Sequence, residues 1–147
     1  MTRDEIVLYA RVLMVAHGLE SWSFRFDNHK LRFGGCSYQG KYLTLSWPVA
    51  RINSDAEVMN TIKHEIAHAL TPHAEHGPVW KLQAMLIGAR PEACVSSQSI
   101  VTVPGRWQGQ CGCSRVNNRY RAPKPGAKYR CQLCGVSFTF VDTRQAV

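Results

Sequence analysis

Thr61-Ile62-Lys63-His64-Glu65-Ile66-Ala67-His68-Ala69-Leu70 is the stretch on which the reading of this chain turns. His64 and His68 are four positions apart. On a helix that spacing is about one turn plus 40° and roughly 6 Å of rise, so both imidazoles leave the same face and converge. Such a pair is a grip for a metal ion, zinc above all, and the H-E-x-x-H pattern gives Glu65 a separate task. Next in sequence to the first histidine, it is not placed to be a ligand. It can instead reach a water on the metal and take its proton, which makes it the candidate general base. Ser54-Asp55-Ala56-Glu57 reads as a capping box, and a helix begun there and stopped by Pro72 carries the motif in its last turns. Val58, Ile62, Ile66, Ala69 and Leu70 give that helix a core face. The plain alternative, two half-buried histidines on an amphipathic helix, does not use this placement.

A catalytic zinc takes three protein ligands and leaves one position open. The metzincin pattern requires glycine at position 71 and histidine at position 74, where this chain has Thr71 and Ala74. His73, His76 and Glu92 remain as third ligands. Pro72 ends one helix and Gly77-Pro78 opens another, since proline is tolerated at the first helical position. His76 therefore sits at a tight turn from which the chain can double back to the metal. His73 lies close to the end of the motif helix for such a return.

His64-Glu65-Ile66-Ala67-His68-Ala69-Leu70 followed by His76-Gly77-Pro78-Val79-Trp80 resembles the SprT-like metalloprotease domain, the family of bacterial SprT proteins and the eukaryotic DNA-protein crosslink protease Spartan. The resemblance extends from the N-terminal helix into the C-terminal cysteines. It implies that His64, His68 and His76 hold the catalytic zinc, that Glu65 is catalytic, and that the substrates are proteins attached to or lying on DNA, with nucleic acid recruiting or activating the enzyme. It also implies a home in the cytoplasm of a bacterium or of a phage-infected host.

Composition agrees with a globular chain: 147 residues, 45% hydrophobic and 19% charged, are enough for one domain plus a small module. No apolar run is long enough for a bilayer. Ile6-Val7-Leu8-Tyr9-Ala10 is preceded by Asp4 and Glu5 and interrupted by Arg11, unlike a signal peptide, so a cytosolic protein with no membrane partner, and a monomer, is expected. Charge is uneven. Residues 1–100 carry ten Lys/Arg against nine Asp/Glu, whereas residues 101–147 carry eight against one, so nearly all of the net +8 belongs to the C-terminal third. Such a segment suits a polyanion, nucleic acid first.

Along the N-terminal part, Ile6, Val7, Ala10, Leu13 and Met14 predict a helix over residues 4–17, capped by Thr2 with Glu5 and stopped by Gly18. Trp22–Asp27, Leu31–Tyr38 and Tyr42–Ser46 read as three strands of a small antiparallel meander, the second broken by Gly34-Gly35. Of these, Tyr42–Ser46 is taken as the edge strand able to pair with an extended substrate. Pro78 to Ile87 is a second helix closed by Gly88. Trp80 on it reads as a core residue before a wall of the metal pocket. Cys36 and Cys94 read as structural free thiols, and Tyr38 and Tyr42 are the candidates for an oxyanion stabiliser beyond the metal.

Cys111-Gly112-Cys113 and Cys131-Gln132-Leu133-Cys134 form two pairs separated by 17 residues, as in a zinc ribbon whose two knuckles each donate two thiolates. The first pair is one residue short of the common C-x₂-C; the resemblance to SprT proteins accommodates that spacing. Four thiolates on a Zn²⁺ leave the basic third at about +5. Between the pairs, Arg115, Arg119, Arg121, Lys124, Lys128 and Arg130 can neutralise phosphates, while Tyr120, with Tyr129 or Trp107, can stack on unpaired bases, which favours single-stranded DNA. Phe138 and Phe140 are expected to fill the ribbon core.

The expectation is thus an α+β chain: a zincin-like, SprT-like metalloprotease domain over residues 1–95, a linker over 96–106, and a basic zinc ribbon over 107–147. It would bind two Zn²⁺, one catalytic and one structural. Rival readings are a non-catalytic nucleic-acid-binding zinc protein and a general zinc peptidase with no DNA link.

Overall fold

Thr2 starts the first helix, α1 (Arg3–Ala16), through a complete capping box: its side chain accepts from the Glu5 amide and the Glu5 carboxylate accepts from the Thr2 amide at 2.7 Å. The computed structural model describes residues 1–93, 100–113 and 115–145. Cys94, Ser96, Ser97 and Ser99, read above as a free thiol and as linker, lie outside them. The chain divides into two compact units, Met1–Val103 and Pro104–Val147, and the architecture is mixed α+β, with four helices and small sheets among the described residues.

In the first unit α1 is followed by β1 (Ser23–Asp27), β2 (Gly34–Ser37), β3 (Tyr42–Ser46), a short α2 (Trp47–Ala50), α3 (Asp55–Leu70) and α4 (Pro78–Leu86). The sheet corrects the expected antiparallel meander. Its order is β1-β3-β2, with β1 parallel to β3 and only β2 antiparallel to it. The segment between β1 and β2 does not turn back as a hairpin. It crosses the end of β3, where the Ser46 amide donates to Phe33 O at 2.7 Å and the Ser46 hydroxyl to His29 O. β3 is therefore the central strand, buried from Leu43 to Ser46, and the edge strand beside α3 is β2.

α3 is capped by Ser54, whose side chain accepts from the Glu57 amide at 3.3 Å. The reciprocal half of the expected capping box is absent because the Glu57 carboxylate pairs with Arg90 instead. Val58, Ile62, Ile66 and Ala69 of α3 enter a core shared with Ile6, Ala10 and Met14 of α1 and with Leu43 and Leu45 of β3. Burial of this set removes α3 from solvent along one face and fixes its rotation about its own axis. Ala67 looks elsewhere, into a second cluster with Trp80, Ala84 and Ala89. Residues Ile100 and Val103 pack on the main core, and the Asn53 side chain clasps Val101 through both its amide and carbonyl, at 2.8 and 2.7 Å.

The second unit has β4 (Trp107–Gln110), β5 (Val116–Arg119), β6 (Tyr129–Arg130), β7 (Ser137–Phe138) and β8 (Val141–Asp142). β4 pairs with β5 and β8, and β6 with β7, all antiparallel. Cys111 and Cys113 lie in the connection from β4 to β5, Cys131 and Cys134 in that from β6 to β7, so each pair occupies a hairpin tip. Gly135, at φ 70°, lets the second tip close with its amide on Cys131 O at 2.8 Å. Asp142 is buried and takes two bonds from the Arg106 guanidinium, at 3.0 and 2.7 Å, and one from the Arg144 amide.

Candidate metal centre

The last turns of α3 project His64 and His68 beside the second cluster, with both rings against Trp80. After Thr71 the chain makes two successive tight turns, Ala74 N to Thr71 O at 3.2 Å and Gly77 N to Ala74 O at 2.9 Å. His73 and Glu75 are left-handed, with φ of 62° and 47°, a strained choice for residues with a Cβ. This folding-back carries His76 to the α3 pair. The three Nε2 atoms then lie 3.2 Å (His64 to His68), 3.1 Å (His68 to His76) and 3.3 Å (His64 to His76) apart. His73 does not join them; its ring lies 6.1 Å from that of Tyr38 in the cleft wall. Glu92 is likewise outside the cluster.

Nitrogens converging at this separation are a donor set for one ion. Tetrahedral zinc with Zn–N of about 2.0–2.1 Å requires ligand nitrogens about 3.3 Å apart, and the observed triangle matches within a few tenths. Burial, followed by the neighbouring imidazoles, pushes His64 down to about 4, and burial with His76 does the same to His68. Both are therefore neutral at pH 7 and have lone pairs to offer.

Glu65 is buried on the adjacent face, and burial raises its carboxyl to about 8, with the Arg32 charge pulling the other way. It lines a cleft of about 550 Å³ together with Arg32, Cys36, Tyr38, His68, His73 and His76. Two glycines of β2 make room here. A Cβ on Gly34 would meet Glu65, and one on Gly35 would lie 3.3 Å from the Arg32 guanidinium. The double glycine opens the strand: of the run expected over Leu31–Tyr38, only Gly34–Ser37 is β2, and Leu31–Phe33 lie outside it. Arg32, held by Asp27 at 3.0 Å, is the cleft residue that sequence reasoning missed. A single arginine in a loop carries no signal of its position.

Cys36 is half-buried at the cleft, its thiol pushed up to about 12 by burial and by Glu65. Trp80 is a core residue and not among the residues that line the cleft: it is fully buried and lies against all three histidine rings, at 4.6, 5.1 and 4.6 Å between centroids.

In the second unit the sulfurs of Cys111, Cys113, Cys131 and Cys134 all lie within 4.8 Å of one another. Cys111 to Cys113 is 3.0 Å and Cys113 to Cys131 is 3.8 Å, against about 3.8 Å between thiolates on a tetrahedral zinc. The backbone amides of Cys134 and Leu133 bring the Cys131 thiol down to about 6, the form a metal binds. Among the described cysteines none is in a disulfide.

The basic side chains of this unit divide in two. Arg115, Arg121, Lys124, Lys128 and Arg130 are exposed. Arg119 is half-buried, its guanidinium 5.4 Å from the Tyr129 ring and 6.0 Å from the Phe140 ring. Tyr120 is half-buried too, with its hydroxyl pKa raised by burial. Tyr129, Phe138 and Phe140 pack on one another, with Tyr129 and Phe140 4.9 Å apart. No described helix is long and apolar enough to cross a membrane.

The chain matches the family model of the SprT-like family over residues 8–99. No curated protein matches it.

Proposed function

The chain belongs to the SprT-like family, and on that premise we propose that it is a zinc-dependent endopeptidase of zincin-like fold that cuts DNA-associated or DNA-crosslinked proteins in the cytoplasm. The observation that carries this reading is the triangle of Nε2 atoms from His64, His68 and His76 with the buried Glu65 beside it.

His64, His68 and His76 would hold the catalytic zinc. When bound there, zinc supplies Lewis acidity, which lowers the pKa of a water and polarises the scissile carbonyl. Glu65 accepts the proton of the attacking water and returns it to the leaving amine. A carboxyl already destabilised as an anion by burial is matched to that double duty, since its proton is neither lost too readily nor held too tightly. The extended substrate pairs with β2, not with β3 as expected from sequence, because β2 is the edge strand that borders Glu65.

The four cysteines of the second unit hold a structural zinc in a ribbon, and its exposed Arg115, Arg121, Lys124, Lys128 and Arg130, with Arg119 and Tyr120, bind DNA. Single strands are preferred, since stacking on aromatic rings requires unpaired bases. The test is cleavage of a DNA-binding protein by the zinc-loaded chain with and without single-stranded DNA. Stimulation by DNA is expected. Equal cutting in both would leave a general peptidase.

A further inference from the structure

Most histidine ligands are oriented by a second contact: the ring nitrogen facing away from the metal donates to a carboxylate or a carbonyl. Among the described residues no side chain or carbonyl makes that contact here. The hydrogen-bonding partners of the His64, His68 and His76 rings are one another's Nε2 atoms, on the side where the ion would sit. Among the described residues no acceptor meets the outward nitrogen of any of the three.

What the rings share is Trp80. The indole is 0% exposed. It stacks on His68 at an interplanar angle of 30° and meets His64 and His76 edge-on at 63° and 80°. Its own position is fixed by small neighbours, since Ala67 of α3 and Ala84 of α4 leave the space it fills. It stands in the first turn of α4, just after the loop that delivers His76, so one side chain braces ligands from two elements. The indole nitrogen is the one buried side-chain polar atom, among the described residues, with no partner. An orphaned N–H costs about 1–3 kcal/mol, so a polar bond is not what holds this residue in place.

We propose that Trp80 is a positioning residue that orients the three imidazoles by aromatic packing, in the place that hydrogen-bond acceptors take in most histidine metal sites. The inference rests on the reading of His64, His68 and His76 as metal ligands. It says more than that Trp80 fills a core. Filling requires volume, whereas orienting three rings at once requires a flat, rigid face.

The experiment is cobalt and zinc titration of the metal-stripped full chain against a competing chelator, following the cobalt d–d bands. The cysteine site, with its thiolate charge-transfer absorption, serves as an internal reference. Trp80→Leu keeps apolar bulk without the face and should weaken the histidine site about 10–100-fold, the usual effect of losing an orienting group, with the cysteine site unchanged. Trp80→Phe keeps a smaller face and should lose less affinity, with displaced d–d bands. Should Trp80→Leu fail to fold, Trp80→Phe decides. Wild-type affinity and bands in either folded variant, whatever its melting temperature, would overturn the proposal. Failure of the underlying reading would look different: the wild type itself would show no cobalt site that His64→Ala removes.

Discussion

Gly34 on the edge strand lies so close to Glu65 on the motif helix that a Cβ at that position would sit 2.7 Å from Glu65 Oε1 and 2.9 Å from its Cγ. Thr61 closes the same space, with its Cγ2 at 2.8 Å. A methyl group at position 34 would push the Glu65 side chain or the Thr61 methyl out of its place. Gly34→Ala should therefore displace the base while leaving the three histidines in place. The expected result is a fall of about tenfold or more in kcat/KM, equivalent to about 1.4 kcal/mol of barrier, with unchanged metal content. Loss of metal in step with activity would place the damage elsewhere.

Burial of Glu65 makes a prediction about the metal-free protein. Its carboxyl is raised to about 8 in the fold, while the unfolded chain titrates near the ordinary carboxylate value. Between those values the unfolded state has lost a proton that the folded state retains, so stability falls as pH rises from about 4.5 to 8. Glu65→Gln removes the ionisation. Metal-free Glu65→Gln should match the wild type near pH 4 and exceed it at pH 8 by about 4 kcal/mol for a shift of this size. Denaturant midpoints measured across that range check the sign. A constant difference would show that Glu65 does not titrate abnormally.

The second unit buries few large side chains: among its described residues Cys111, Cys131 and Asp142 are buried together with two glycines. So small a core cannot carry a stable fold alone, and metal binding would supply the missing free energy. Chelation, or Cys131→Ser, should open residues 104–147 to limited proteolysis while residues 1–93 stay resistant. Equal resistance with and without metal would contradict a structural zinc.

On the proposed function, the exposed cations of this unit would set the salt dependence of DNA binding. Replacing Arg121, Lys124 and Lys128 together by alanine should reduce the slope of log K against log salt for a single strand by about 2, at roughly 0.7 for each phosphate left without its cation. Replacing half-buried Arg119, which packs on Tyr129 and Phe140, should also lower the melting temperature. An unchanged slope in the triple variant would move the DNA surface elsewhere.

What is legible in the sequence is local. The i, i+4 histidines, the Thr2 cap and its Glu5 partner, the Ser54 cap and the stop at Pro72 all depend on a few consecutive residues, and each is in the structure. A Gly-Pro turn after His76 favours it over His73, and the two turns at Thr71 and Ala74 do return it to the motif. Long-range pairing is not legible. The short connection between β1 and β2 suits a hairpin, and nothing in Asn28–Phe33 announces that the chain will cross β3 and bond to Ser46. The Gly34-Gly35 pair reads as an interruption because glycine weakens a strand, whereas here the missing Cβ atoms admit Glu65 and Arg32. Trp80 reads as core, which it is; its contact with three rings from two elements has no signature in spacing.

Glu65 stands in the proposed function as the base of a zinc protease. Its most direct test is cleavage of a DNA-binding protein, with single-stranded DNA present, by zinc-loaded wild type and Glu65→Gln side by side, each assayed for zinc. About two zinc ions are expected in both proteins, with cutting by the wild type alone. Undiminished cutting by Glu65→Gln, or no cutting by fully loaded wild type, would contradict it.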